Sequence, residues 1–274
     1  MKRRDNMKDT DVRKKKKWPK VLLVIVLIIG LLSGFIAFNA SKNMKVMNDT
    51  IASGMETLSS YAKVTPVDPG EYKSIKMYGL MKFNVEQHDI EDIGNLSVMT
   101  VNMGFMQMVS YVITPYKKNM PMLSMDFMYI MGKRKAYAEF YDLVPDASAP
   151  EYTAVLDNIK EFEKRYSGLE DIEVEPAWYD EYLTVVLHKA GKRSDDDKIG
   201  EMFTDAIRCY METARDLEPL SDEEKATKLE ITQKYCDDLV DKGGVSTDVF
   251  KKALGEEATK DFFDKVFFGT EKYR

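Results

Sequence analysis

One carboxylate, Asp126, stands in the middle of an apolar run that extends from residue 122 to residue 131. The sequence Gly132-Lys-Arg-Lys135 then predicts a charged turn, and Ala136 to Leu143 predicts a return strand, so the stretch is typical of a β-hairpin. An unpaired carboxylate is costly to bury in such a strand. We therefore expect Asp126 to be neutralised, paired or used in chemistry.

The region around this hairpin is rich in methionine. The chain has 18 methionines, and those of the hairpin region are Met103, Met106, Met108, Met120, Met122, Met125, Met128 and Met131. Methionine fills irregular cores, which is one interpretation of this cluster. A soft, polarizable wall for a flat ligand is the other, with Met108 and Met128 as candidate contacts.

The elements that must position these residues are short strands followed by helices. The strand candidates before residue 150 are Tyr72 to Val85, Leu96 to Met103, Phe105 to Thr114, Met122 to Met131 and Ala136 to Leu143. Their connections are too short for crossover helices, so neighbouring strands should pair antiparallel. A further strand is predicted at residues 183–187, and Gly191 to Lys198 is expected to be an exposed, flexible loop.

Helical spacing of apolar residues dominates the rest of the chain. The predicted helices are Glu151 to Tyr166, Ile199 to Leu217, Ser221 to Lys242 with a capping box, Ser246 or Thr247 to Leu254, and Glu256 to Phe267. Strands followed by helices predict an α+β domain in which an antiparallel sheet is covered by helices.

The N-terminal segment predicts a membrane anchor with a direction. Residues 1–20 carry ten Lys or Arg and three Asp, and residues 21–38 carry no charge. Eighteen apolar residues can just span a bilayer. We therefore predict a basic cytosolic tail (1–20), a single transmembrane helix (21–39) in contact with the lipid bilayer, a stalk or linker (40–70) and an extracytoplasmic domain (71–270). A cleaved signal peptide is the alternative.

The charge of the chain and the placement of its histidines and cysteines argue against several classes of function. Subtracting the +7 of residues 1–20 from the overall −6 leaves −13 on the rest, which argues against nucleic-acid binding. The two histidines, His88 and His188, do not lie in a ligand-spaced cluster, and no metal site is predicted. Cys209 and Cys236 allow either a single disulfide or two separate buried thiols.

Two segments resemble the ferredoxin-dependent bilin reductases. Phe250 to Phe268 (FKKALGEEATKDFFDKVFF) is similar to the family's C-terminal signature, a helix, Gly-Glu and a short helix that closes on Val-Leu-Phe. Pro121-Met-Leu-Ser-Met-Asp126 and Asp142-Leu-Val-Pro145 are similar to its central hairpin, and Tyr235-Cys236 fits its penultimate long helix.

The resemblance covers residues 71–270 and implies a three-layer α/β/α sandwich with a central antiparallel sheet. It implies a linear tetrapyrrole between the sheet and the C-terminal helices, no cofactor bound by the protein, and an external, ferredoxin-like electron donor. Asp126 corresponds to the carboxylate that protonates the bilin. Ser124, Met108 and Met128 would contact the ligand, and Lys133 and Arg134 would pair with its propionates unless they form a solvated turn.

Two positions depart from the family pattern. The histidine that some members carry about seventeen residues before the aspartate falls in Gln107-Met-Val-Ser110, and a second acidic position falls on Gly244. The predicted topology also separates the domain from cytosolic ferredoxin. Three hypotheses therefore remain: a membrane-anchored oxidoreductase acting on a tetrapyrrole, a non-catalytic extracytoplasmic binding module, and an interaction domain that keeps only the fold.

Overall fold

The structure, a computed structural model, describes residues 18–77 and 81–274. Within this part of the chain nine strands form one antiparallel sheet. The strands are β1 (Val64–Val67), β2 (Ser74–Met77), β3 (Met81–Ile90), β4 (Gly94–Asn102), β5 (Met106–Pro115), β6 (Met122–Ile130), β7 (Lys133–Tyr141), β8 (Glu170–Asp171) and β9 (Leu183–Lys192). Their order is β1-β3-β4-β5-β6-β7-β9-β8, and β2 also pairs with β3.

Helices cover both faces of this sheet. The α-helices are α1 (Trp18–Ser59), α2 (Pro150–Arg165), α3 (Asp196–Arg215), α4 (Asp222–Lys242), α5 (Val245–Leu254) and α6 (Glu256–Phe262). A π-helical turn, Phe263–Phe267, follows α6 directly. The predicted α+β class and the three-layer sandwich, preceded by a long apolar helix, are therefore confirmed.

Strict alternation along the strands separates two cores. In β6, Leu123, Met125 and Phe127 face one core, which α1, α2 and α3 complete. Met122 faces the second core, which α4, α5 and α6 complete. Because successive side chains of a strand point to opposite faces, Asp126 lies on the same face as Met122. We call the face that α4 to α6 cover the cleft face.

The predicted anchor and the first part of the predicted stalk, up to Ser59, form one unbroken helix, α1. From Leu22 to Phe38 the side chains that are described are exposed or half-buried, whereas from Asn39 onward the helix packs on the domain. Met47 and Leu58 are almost fully buried in the first core. After α1, β1 pairs with β3, so much of the segment from 40 to 70 contributes to the folded domain. A stalk that packs on the sheet cannot act as a flexible spacer.

Three predicted segments differ in detail. Residues 72–85 form a 3-10 turn, β2 and the start of β3, not one strand, and residues 78–80 lie outside the described part. The expected loop at 191–198 is the end of β9, a 3-10 turn and the first turn of α3. The hairpin turn is Met131-Gly132, because Lys133 already pairs with Ile130.

Other predictions lie at the ends of the chain or concern single residues. Most of the predicted basic tail, residues 1–20, lies outside the described residues. The predicted capping box is confirmed, since the backbone N–H of Glu224 donates to Ser221 Oγ and the backbone N–H of Ser221 donates to Glu224 Oε2. Cys209 and Cys236 are both free thiols, so no disulfide joins α3 to α4.

Candidate functional site

A cavity of about 140 Å³ lies between the cleft face and the C-terminal helices. Its floor comprises Ser110, Ser124, Asp126 and Glu139 from three adjacent strands. Its walls are mainly aromatic and include Tyr141, Tyr179, Tyr235, Phe250, Phe263 and Phe267. An apolar cleft with a few convergent polar groups is the usual form of a small-molecule site.

Asp126 is held at the centre of this floor by two serines. Ser110 is its register partner on β5, and Ser124 Oγ donates to Asp126 Oδ2 at 3.2 Å. Burial raises the pKa of the Asp126 carboxyl from 3.8 to about 6, the hydroxyl of Ser110 opposes this rise, and the nearby Glu139 carboxylate adds to it. A carboxyl with such a pKa can both hold and release a proton near neutral pH.

Glu139 is a second carboxylate of the site and is itself tied to a histidine. Its Oε1 lies 2.6 Å from Nε2 of His188 on β9, and Tyr141 donates its hydroxyl to Oε2 at 2.6 Å. The ring of Tyr137, the register partner of Asp126, packs edge-on against His188 at 5.2 Å. Asp126 on β6, Glu139 on β7 and His188 on β9 therefore lie on one face of three adjacent strands, and Glu139 contacts His188 directly.

Sequence reasoning missed both Glu139 and His188. Glu139 could have been found, because the alternation of Tyr137, Glu139 and Tyr141 with Ala136, Ala138 and Phe140 marks one face of the return strand. Pairing across the hairpin places that polar set beside Asp126. His188 could not have been found in this way, since 41 residues separate the end of β7 at Tyr141 from the start of its partner β9 at Leu183.

Four of the five other predicted ligand contacts lie on the cleft face. Ser124 lines the cavity. Met108 and Met128 are half-buried register partners on the cleft face, two register positions beyond Ser110 and Asp126. Lys133 is exposed at the start of β7. These four residues share the face of Asp126.

Arg134 lies on the opposite face of the sheet. It is 1% exposed, its Nη2 donates to Asp196 Oδ2 at 2.9 Å, and its guanidinium carbon is 4.2 Å from the centre of the Tyr129 ring. It therefore neither forms a solvated turn nor points towards the cleft. Its role in this structure is to bind the start of α3 to the hairpin.

The helical wall places Gly244 where the resemblance expects a second acidic residue. Gly244 and the buried Thr247 line the cavity at the start of α5. The carboxylate of the π-helical turn, Asp264, is engaged elsewhere, because Gln233 and Arg274 donate to it at 2.9 and 2.8 Å. In the described part of the chain, the cavity's carboxylates thus come from the sheet.

Comparison with solved structures identifies the fold. No family model matches the sequence, and neither does any curated protein. The chain nevertheless has the fold of the ferredoxin-dependent bilin reductases. One structure that shows this is the crystal structure of phytochromobilin synthase from tomato in complex with biliverdin, with a TM-score of 0.69 over 83% of this chain and 84% of that one. The two sequences are 14% identical, so the likeness shows the fold and confirms the resemblance at that level.

Proposed function

We propose that this chain binds a linear tetrapyrrole in the cleft and that Asp126 donates a proton to the ligand when it is reduced. The observation that carries the proposal is a carboxyl with a raised pKa on the floor of an aromatic cleft. The chain shares its fold with a protein solved with biliverdin, which supports the same class of ligand.

The chemistry divides between an external donor and the residues of the site. Each electron that a ferredoxin-like reductant delivers to the tetrapyrrole must be balanced by a proton added to it. With a pKa of about 6, roughly a tenth of Asp126 is protonated at pH 7. The His188–Glu139 pair, joined at 2.6 Å, lies on the same sheet face as Asp126, so a histidine is near the site although none occurs in Gln107-Met-Val-Ser110.

Binding requires the cleft to open. Sites for drug-sized ligands have volumes of about 300–1,000 Å³, and the cavity of about 140 Å³ is smaller. Helix α5 is the element we expect to move, because it lies between two glycines with positive φ, Gly243 at 82° and Gly255 at 86°. Its Phe250 fills the space between Phe83 and Phe262, with ring centres 5.4 and 5.3 Å away.

We also propose that α1 anchors the domain to a cell membrane as a single-pass helix, with a cytosolic N-terminus and an extracytoplasmic domain. The apolar side chains of its first half, between Leu22 and Phe38, are mostly exposed and do not pack on the domain. This is the pattern expected of a helix that lipid surrounds. The basic block before it supports the direction. The test is a reporter enzyme that works only in the cytosol, fused after Arg274. Activity of this reporter would overturn the orientation.

The second candidate is a non-catalytic module that binds the tetrapyrrole without reducing it. Gly244 favours this candidate, because a second acidic residue would be needed there to match the family pattern. The predicted location favours it as well, since cytosolic ferredoxin cannot reach an extracytoplasmic domain.

Biliverdin added to the full chain in detergent micelles tests these proposals. We expect a shifted and sharpened absorption band at micromolar pigment, and an unchanged spectrum would refute tetrapyrrole binding. Chemical reduction of the bound pigment then compares the wild type with Asp126→Asn, which should bind but give slower or different products. Asp157→Asn is the matched control, since Asp157 is exposed on α2, behind the opposite face. Identical products from all three chains would favour the non-catalytic module.

A further inference from the structure

The end of the sheet from which α1 departs has an unusual surface. The β4–β5 turn presents Phe105, whose side chain is 51% exposed. Among the described residues outside α1, the only other large apolar side chain that is exposed to this extent is Val174. A single exposed phenylalanine at the tip of a hairpin costs solubility and adds nothing to either core.

This tip lies beside the apolar half of α1. A Cβ atom built on Gly104, the neighbour of Phe105, would lie 3.6 Å from Cγ2 of Ile36. Further along, Asn43 donates to Gln107 Oε1 at 2.8 Å, and the hydroxyl of Tyr111 lies 3.8 Å from Sδ of Met55. Positions on α1 and β5 therefore advance together, and the helix runs alongside the strand. The tip of the β4–β5 hairpin therefore lies beside the point at which α1 leaves the domain, near Ile36.

The helix is joined to this end of the sheet by a buried polar network. Arg193 donates to Asn39 Oδ1 at 2.8 Å, and Asn43 donates to the carbonyl of Met131 at 3.1 Å. Asn39 and Asn43 are 6% and 1% exposed. Because the apolar residues 21–38 span about 27 Å at 1.5 Å per residue, these contacts hold the strand ends just outside the bilayer core. The domain cannot tilt away without breaking them.

Exposed lysines surround Phe105 on the same end. They lie within the last three register positions of β2, β3, β7 and β9 at this end: Lys76, Lys82, Lys133, Lys135 and Lys192. Of the carboxylates near the end of β9, Asp196 is paired with Arg134 and Asp195 accepts from the backbone N–H of Lys192. Glu170 is on β8, which lies beyond β9 in the sheet order. The strand ends on both sides of Phe105 therefore carry exposed positive charges.

We infer that this end of the domain docks on an anionic membrane surface, with Phe105 inserted among the headgroups and the lysines in contact with lipid phosphates. The inference rests on the proposed membrane anchor. Apolar rings partition into the interface and basic side chains are attracted to anionic headgroups. The surface is defined as Phe105, Lys76, Lys82, Lys133, Lys135 and Lys192, and we call it the docking end.

The docking end also adjoins the open part of the cleft face. Met108 and Met128 are half-buried, and they lie between Asp126 and the docking end in the strand register. An amphiphilic ligand dissolved in the membrane surface would thus meet an apolar sheet face that leads to Asp126.

The test measures the depth of position 105 in the membrane. The full chain, with Phe105→Cys in a Cys209→Ser background, is labelled with an environment-sensitive fluorophore and reconstituted into vesicles of phosphatidylcholine with or without phosphatidylglycerol. The remaining Cys236 is 2% exposed and should not react. The control label is at Val174→Cys, which is 53% exposed, and its segment leads away from the docking end, because Ile172 already pairs with His188.

We expect the label at 105 to be blue-shifted and quenched by spin-labelled lipid in anionic vesicles, whereas the label at 174 stays aqueous. Replacing Lys133 and Lys192 with glutamine should reduce the docked-to-free ratio by about fivefold per lysine. Acetylation of wild-type lysines is a second measurement. In anionic vesicles Lys133 should be protected relative to detergent, and Lys225 at the start of α4 should not be.

The failures of the two proposals can be told apart. If alkaline carbonate extracts the chain from the vesicles, the anchor fails and the docking end fails with it. If the chain stays in the membrane and the label at 105 is aqueous, the anchor stands and docking is refuted. Equal quenching at 105 and 174 would also refute it, because the domain would then have no preferred end towards the lipid.

Discussion

Replacing Asp126 with asparagine should change the stability of the domain in a pH-dependent way. Burial raises the pKa of Asp126 from 3.8 to about 6, so the folded state binds a proton more tightly than the unfolded state. Stability that is present below pH 4 is therefore lost as the pH rises through 6. About 2 pKa units correspond to a loss of about 3 kcal/mol above pH 7.

Asp126→Asn removes this loss, since an amide does not ionise, but it weakens the hydrogen bonds of Ser110 and Ser124 by about 1 kcal/mol. We expect the variant to be more stable than the wild type by about 1–3 kcal/mol at pH 8 and equal or slightly less stable at pH 4.5.

The assay is urea unfolding of the full chain in detergent micelles, followed by the fluorescence of Trp178, whose ring packs against Tyr235 of α4. Each variant is compared with the wild type at the same pH, so titrations elsewhere cancel. Asp157→Asn should show no pH-dependent difference. If Asp126→Asn is less stable than the wild type at pH 8 by as much as at pH 4.5, the carboxylate is a satisfied structural group and the reasoning is refuted.

Two further variants test the surroundings of the site and the role of α1. Burial is the main cause of the raised pKa of Asp126, and the Glu139 charge adds to it. Glu139→Gln removes that charge, so the pH at which stability is lost should move downward. The stability profile measures this, and an unchanged midpoint would contradict the coupling of the two carboxylates. Gly54→Ala should destabilise the domain by about 1–3 kcal/mol, because the added Cβ would clash with the ring of Phe203. Gly30→Ala, with no atom within 4 Å, should leave unfolding unchanged, and equal effects of the two would show that α1 does not pack as described.

The sequence predicted the sheet and its helical cover because these follow from local patterns, whereas the expectation that Asp126 faces a ligand cleft came from the resemblance. A carboxylate in an otherwise apolar strand is visible in the sequence as a group that is costly to bury. The alternation of side chains along the hairpin then assigns Asp126 to one face. The capping box at Ser221 was found for the same reason, since it depends on residues three apart.

The parts that were missed depend on contacts between distant segments. Arg134 belongs to a charged tetrapeptide that has the composition of a solvated turn, and only the arrival of Asp196 on α3 makes its burial favourable. His188 joins the site through a strand pairing that no local pattern encodes. The packed half of α1 is predicted as a stalk helix because Met47 and Leu58 belong to a set of apolar residues at helical spacing in a polar segment, and that spacing does not show that they pack on the sheet.

The unbroken course of α1 has an optical consequence. The same rigid rod that would cross the bilayer also packs along the sheet and is tied to it at Asn39 and Asn43. A pigment held between the sheet and α4 would therefore keep one angle to the membrane normal. Stacked, oriented membranes containing the chain and biliverdin should then absorb light polarised along and across the membrane plane to different extents. A flexible stalk would average this linear dichroism towards zero.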